Sequence, residues 1–187
     1  MGMPAAPTNW TAERVRALPD DGNRYEVIDG QLFVTPAPSW EHQRAVLELA
    51  FLIRSYLADR TVAAVYIAPA DIEFRNDRMV EPDLFVVPLI DGRKPRTWEE
   101  AKTLLLAVEV LSPSSARADR VAKRLLYQRE GVAEYWMVDV ASRLIERWRP
   151  DDSRPEIIEG ALSWQPDPAI PALAIDLDAY FKEVCLE

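Results

Sequence analysis

Cysteine is all but missing from this chain: Cys185, two residues from the end, is the only one. A lone thiol forms no internal disulfide and no zinc cluster, so a disulfide scaffold is excluded and a reducing, cytoplasmic setting is expected. Long apolar runs are missing too. None approaches the roughly 18 residues that cross a bilayer, and Met1–Asn9 has neither the basic start nor the apolar core of a secretion signal. Positive charge is scarce, with 22 Lys and Arg against 31 Asp and Glu and a net charge of −9. A protein that coats nucleic acid neutralises phosphates with Lys and Arg, and this chain lacks the surplus. A local basic patch and a carboxylate-built metal site remain compatible with that balance.

The 187 residues, 49% hydrophobic and 28% charged, suit one globular domain. Residues 1–9 are expected as a flexible N-terminus and 10–187 as a single domain. Thr11 to Leu18 reads as a short helix. Arg24–Ile28 and Gln31–Thr35 flank Asp29-Gly30, a strong hairpin signal because Gly tolerates positive φ. Ser39 caps a long helix to about Ala58, with Val46, Leu49, Ile53 and Leu57 at helical spacing. Three strands are expected next, near 63–67, 70–75 and 79–87, followed by a polar loop over 91–100. Leu104 to Leu111 is a near-continuous apolar run, the pattern of a strand buried on both faces. A helix from Ser112-Pro113-Ser114-Ser115 to Glu130 stops at Gly131, and strands near 135–140, 144–148 and 156–158 precede a last helix over 178–184. Helices alternating with buried strands give an α/β domain with a mixed central sheet.

Charge inside the apolar runs points to chemistry. Glu109 sits between Val108 and Val110 in the buried run, and a buried carboxylate needs a partner. Asp83 stands at the head of another such run. Each has a plainer explanation, an ion pair with Arg for Glu109 and a strand-start Asp for Asp83. Together they can share a hard cation, because Mg²⁺ takes oxygen ligands and keeps several waters. From Glu109 the strand continues about 16 Å to the helix start, at 3.3 Å per residue. Lys123, nine residues into a helix that folds back, returns about 13 Å at 1.5 Å per residue. It comes nearly level with Glu109, and Asp119 lies one turn away on the same face. An ordinary exposed Asp–Lys pair has the same spacing. This helix is locally basic, and Arg117, Arg120 and Arg124 are candidate phosphate contacts; a solvated helix face would look the same.

These segments together resemble a bacterial restriction-endonuclease family, common in cyanobacteria, of the PD-(D/E)XK nuclease superfamily. The resemblance rests on Arg24 to Leu32, Ser39 to Gln43 with His42, Glu81 to Leu84, Val108 to Ser114, then Asp119, Lys123, Tyr127 and Gly131 to Asp139. It spans roughly residues 10 to 150. It implies a restriction-endonuclease-like core with a mixed central β-sheet flanked by helices and an N-terminal β-hairpin. It also implies Mg²⁺-dependent hydrolysis of DNA phosphodiesters, with Mn²⁺ able to substitute. Asp83 and Glu109 would bind metal, the Val110 carbonyl would be a further ligand, and Lys123 would be the catalytic lysine. That lysine ordinarily lies two residues after the Glu, where this chain has Leu111, so Lys123 is a displaced counterpart. Glu26, His42 and Asp119 would support the site. Glu26 is otherwise an edge-strand glutamate and His42 a capping or packing residue. A homodimer is expected, because an enzyme cutting both strands is served by two-fold symmetry. The competing expectation is a binding or assembly protein that keeps the fold without the catalysis. A third is a hydrolase of smaller phosphate esters at the same site.

Overall fold

The computed structural model describes residues 9–113 and 115–186. Most of the expected flexible N-terminus (1–8) and Ser114 of the expected helix start lie outside them. Thr11 caps α1 (Ala12–Arg16) by accepting from the Arg14 amide. Asp29 and Gly30 take φ of 51° and 74°, as a two-residue turn of type I′ requires. They fold β1 (Arg24–Ile28) onto β2 (Gln31–Thr35). Ser39 then caps α2 (Trp40–Leu57) through the His42 amide.

The strands that follow divide between two sheets. β3 (Ala63–Ile67) is succeeded by β4 (Ile72–Arg75), β5 (Arg78–Val80) and β6 (Leu84–Pro88). Residues 79–87, expected as one strand, are thus two. Pro82 has no N–H for a ladder, and the Glu81 amide is spent on the Glu26 carboxylate at 2.8 Å. The break sends β5 to a four-stranded sheet, β2-β1-β5-β4, and β6 to the central one. Residues 91–100, expected as loop throughout, end in α3 (Trp98–Ala101). Trp98 is the reason: its ring packs edge-on against Phe74 and its Nε1 donates to the Glu73 carbonyl.

β7 (Leu106–Val110) is buried along its whole length. The helix after it widens into a π-helical stretch, Ala118–Lys123, which runs on as α4 (Arg124–Arg129). β8 (Tyr135–Asp139), β9 (Leu144–Trp148) and β10 (Glu156–Ile158) complete a six-stranded central sheet of order β10-β9-β8-β7-β6-β3. β7 and β8 are parallel and the other pairs antiparallel, so the sheet is mixed. A hairpin of β11 (Ala161–Trp164) and β12 (Leu173–Asp176), followed by α5 (Leu177–Cys185), closes the chain. Sequence reasoning anticipates the last helix and not this hairpin.

Alternation along β7 sorts the core. Leu106, Val108 and Val110 face α2, α5 and Trp164. Ala107 faces Leu126, Tyr127 and Ile28, and Glu109 must point the same way. Glu109 is therefore aimed into the seam between the central sheet, the small sheet and the π-helical segment. Among the described residues no helix is long and apolar enough to cross a membrane.

Candidate active site

Six charged side chains meet in that seam. Arg24 and Glu26 alternate with Ile28 on the face of β1 that looks toward the central sheet. Asp83 precedes β6. Glu109 comes from β7, and Asp119 and Lys123 from the π-helical segment. Glu26, Asp83, Glu109, Asp119 and Lys123 are each no more than 3% exposed.

Lys123 is the hub. Its Nζ lies 2.8 Å from Glu26 Oε2, 2.9 Å from Glu109 Oε1 and 3.6 Å from Asp119 Oδ1. The wide π turn carries Asp119 and Lys123 inward together, and such turns recur at functional sites. Tyr127, one turn on, donates to Glu109 Oε1 at 3.1 Å. Both carboxylate oxygens of Asp119 are buried without a hydrogen bond among the described residues.

Asp83 is held from three sides. Arg24 reaches Oδ1 at 2.8 Å, while His42 Nε2 and the Val110 amide reach Oδ2 at 3.0 and 2.8 Å. The last β6–β7 pair is Leu84 with Val108. The Val110 amide therefore has no strand partner on that side and finds the Asp83 carboxylate instead. Arg24 was not singled out in the sequence as a site residue. Its place two residues before Glu26 on a strand was the signal, since i and i+2 share a face.

The constellation opens on a cavity of about 210 Å³ lined by Arg24, His42, Asp83, Glu109, Ser115 and Lys123, with Pro36 and Pro38 in its wall. A larger cavity of about 300 Å³ elsewhere is bounded by Tyr66, Phe85 and Trp98; Arg16 there pairs with Asp71 and Glu73. The charged residues of the first cavity differ in what their surroundings ask of them. Four buried carboxylates, Glu26, Asp83, Glu109 and Asp119, face two permanent cations, Arg24 and Lys123. Fully ionised, the set would carry two negative charges in surplus, which the raised Glu109 carboxyl relieves in part by holding a proton. Burial pushes the Glu109 carboxyl well above its ordinary value, and Asp83, Asp119 and Glu26 add to the push against Lys123. Burial would raise Asp83 as well, but His42, Arg24 and Lys123 outweigh it and bring that carboxyl to about 2. Burial opposes the charged Lys123, yet its three carboxylates win and raise the ammonium well above its usual range.

The expected phosphate contacts are placed differently. Arg117 is exposed. Arg120 pairs with Asp139 and Glu146 at 3.2 and 2.8 Å. Arg124 lies 4.7 Å over the Trp148 ring and donates to Gln128. Arg120 and Arg124 are thus engaged along the β8–β9 side, away from the cavity.

A profile of the Uma2 family, described as putative restriction endonucleases, matches residues 12–178. The chain belongs to the Uma2 family. A solved structure, a putative nuclease of DUF820 from Anabaena variabilis, has the same fold. Its TM-score is 0.73 at 19% identity, over 93% of this chain and 98% of that one. No functionally curated protein matches the chain. In this Uma2 chain the resemblance read from the sequence and the architecture agree: a mixed central sheet flanked by helices, with the β1–β2 hairpin beside it.

The raised Glu109 carboxyl gives a pH signature. The folded protein keeps a proton there that the unfolded chain has lost above the ordinary glutamate range, so stability falls as pH rises. Asp83 acts oppositely, contributing stability above the ordinary aspartate range that is lost as pH falls toward 2. Without metal, Tm is expected to decline as pH rises above the ordinary glutamate range. Thermal melts in EDTA across that rise check this, and the decline should be blunted in Glu109→Gln. Equal slopes in the two proteins would remove Glu109 as the cause.

Proposed function

We propose that this protein is a Mg²⁺-dependent endonuclease that hydrolyses DNA phosphodiesters at the Asp83–Glu109–Lys123 cavity. The observation carrying the proposal is a buried set of four carboxylates against two permanent cations, with Asp83 and Glu109 lining the cavity, so that full ionisation leaves two negative charges in surplus. A divalent cation would offset it. Among the described residues, no group of three or more His, Cys, Asp and Glu side chains could hold a metal ion. Mg²⁺ asks for less than that, because it keeps most of its waters beside one or two carboxylates.

Asp83 and Glu109 are the residues that would hold the ion, with the Val110 carbonyl as a further oxygen. When bound, such an ion polarises the phosphoryl group and lowers the pKa of water. Asp83, with its carboxyl held near 2, presents an ionised ligand at any physiological pH. His42 and Arg24 position that carboxylate. The Lys123 ammonium, fixed between Glu26 and Glu109, orients a water at the cavity wall and stabilises charge developing on phosphate. Glu26 and Asp119 position the lysine. A cavity of about 210 Å³ is on the scale of one phosphodiester with part of its sugars, so a DNA strand would present its backbone at the mouth. A homodimer belongs to the same reading.

The test is cleavage of supercoiled and linear DNA with Mg²⁺ or Mn²⁺, beside EDTA controls and Asp83→Asn. Metal-dependent cleavage lost in Asp83→Asn is the expected result. Cleavage that survives the substitution would sink the assignment, and no cleavage beside intact metal binding would favour a binding protein that keeps the fold.

A further inference from the structure

The segment between β6 and α3 carries a second concentration of charge, opposite in sign to the rest of the molecule. Asp91 and Gly92 take φ of 51° and 71°, and Ile90 and Arg93 exchange both backbone hydrogen bonds, at 2.9 and 3.0 Å. This is another two-residue turn of the kind made by Asp29-Gly30. It projects Arg93 and Lys94, followed by Arg96, and all three are exposed. The backbone beneath them is tied down. Tyr66 Oη donates to the Pro95 carbonyl at 2.6 Å, and the Arg96 amide donates to Glu100 at 2.9 Å. None of the three side chains has an ion-pair partner among the described residues.

Lys94 joins two adjoining concavities. One, about 1020 Å³, is lined by Arg93, Lys94 and Arg96, with Tyr66 and Glu100 also in its wall. The other, about 420 Å³, is lined by Arg54, Arg60 and Lys94. Arg60 is braced by its own helix, its guanidinium 4.3 Å over the Tyr56 ring and donating to the Tyr56 carbonyl. Five cations therefore border one continuous concave strip on a chain of net charge −9. Unpaired cations held on a fixed backbone around a concave strip suit a polyanion whose charges are regularly spaced.

We infer that this strip grips the phosphate backbone of duplex nucleic acid. The choice of duplex DNA rests on the proposed nuclease reading; the strip itself does not. Five residues of β6 separate Asp83 from the root of the strip, about 17 Å at 3.4 Å each. The strip therefore lies at the far end of that strand from the cavity. The strip takes over the role expected for Arg120 and Arg124, whose charges are already spent.

The experiment is fluorescence anisotropy of a labelled duplex titrated with full-length protein in EDTA, repeated at several salt concentrations. It compares wild type with the triple substitution Arg93→Gln, Lys94→Gln and Arg96→Gln. Among the described residues, only backbone atoms of these three make hydrogen bonds, so the variant is expected to fold. The log–log salt slope should flatten by about 2–3, roughly one for each phosphate contact removed. Mn²⁺-supported hydrolysis of a small phosphodiester, bis-p-nitrophenyl phosphate, should be unchanged. Equal slopes in the two proteins, or no duplex binding by wild type at low salt, would overturn the inference. Competition by polyglutamate as strong as by duplex, charge for charge, would overturn the assignment to nucleic acid. A slope that flattens while neither protein hydrolyses the diester would leave the strip standing and remove the nuclease reading.

Discussion

Replacing Lys123 by Met is expected to cost about 3–5 kcal/mol of stability, the usual consequence of removing one partner from a buried ionic cluster. For a chain of this size that lowers Tm by roughly 10 °C. The cause is visible around Nζ. Glu26, Glu109 and Asp119 would be left facing one another, and Arg24, engaged with Asp83, is the remaining nearby cation. The same substitution should reduce any metal-dependent hydrolysis by about 10²–10⁴-fold, the range of a positioned proton-handling group. The two effects separate by temperature, with rates measured well below the lowered Tm. They separate again by metal, because a bound cation takes up part of the charge that Lys123 leaves. Mg²⁺ should therefore restore more stability to Lys123→Met than it adds to wild type. A variant as stable as wild type in EDTA would contradict the hub assigned to this lysine.

Glu109→Gln is expected to act in the opposite direction on stability. Glutamine keeps an oxygen for the Tyr127 hydroxyl and the Lys123 ammonium while removing a carboxyl whose ionisation burial and its acidic neighbours oppose. Lys123 retains Glu26 and Asp119, so no cation is stranded. The metal-free variant should be more stable than wild type by about 1 kcal/mol or more, seen as a Tm higher by roughly 2–4 °C. Its affinity for divalent metal should fall by about 100-fold or more, beyond the loss typical of disturbing a ligand's supporting contacts. Natural sites often trade stability for a strained or repulsive arrangement that function needs. A Gln variant less stable than wild type in EDTA would mean the cluster is a settled ion pair with no surplus.

The sequence disclosed this arrangement unevenly. Features governed by local chemistry were readable: the Asp29-Gly30 turn, the Ser39 cap and the buried β7, apolar but for Glu109, each follow from residue types in a short window. Lys123 was placed near Glu109 by counting rise along a strand and back along a helix. The widened π turn that rotates Asp119 and Lys123 inward together has no such signal. The division of residues 79–87 between two sheets was hidden because apolar residues continue across Pro82. Only the tertiary use of the Glu81 amide explains the break. α3 owes its existence to Trp98 packing on Phe74, a long-range contact that polar composition obscures. The β11–β12 hairpin lies among prolines, where alternation is short and weak. The basic residues of the helix were read correctly as a charge pattern but not as partners, because Asp139, Glu146 and Trp148 arrive from distant strands. Arg93, Lys94 and Arg96 drew no notice in sequence. Their meaning comes from the fixed turn beneath them and from what does not pair with them.

The central claim is that the buried surplus of carboxylate charge is a divalent-cation site. Calorimetric titration of Mn²⁺ into the wild type, Asp83→Asn and Glu109→Gln tests it most directly, and it needs no substrate. The account predicts a saturable site in the wild type that is lost or greatly weakened in both variants, with all three proteins folded. Equal binding in the three proteins, or none in the wild type, would contradict it.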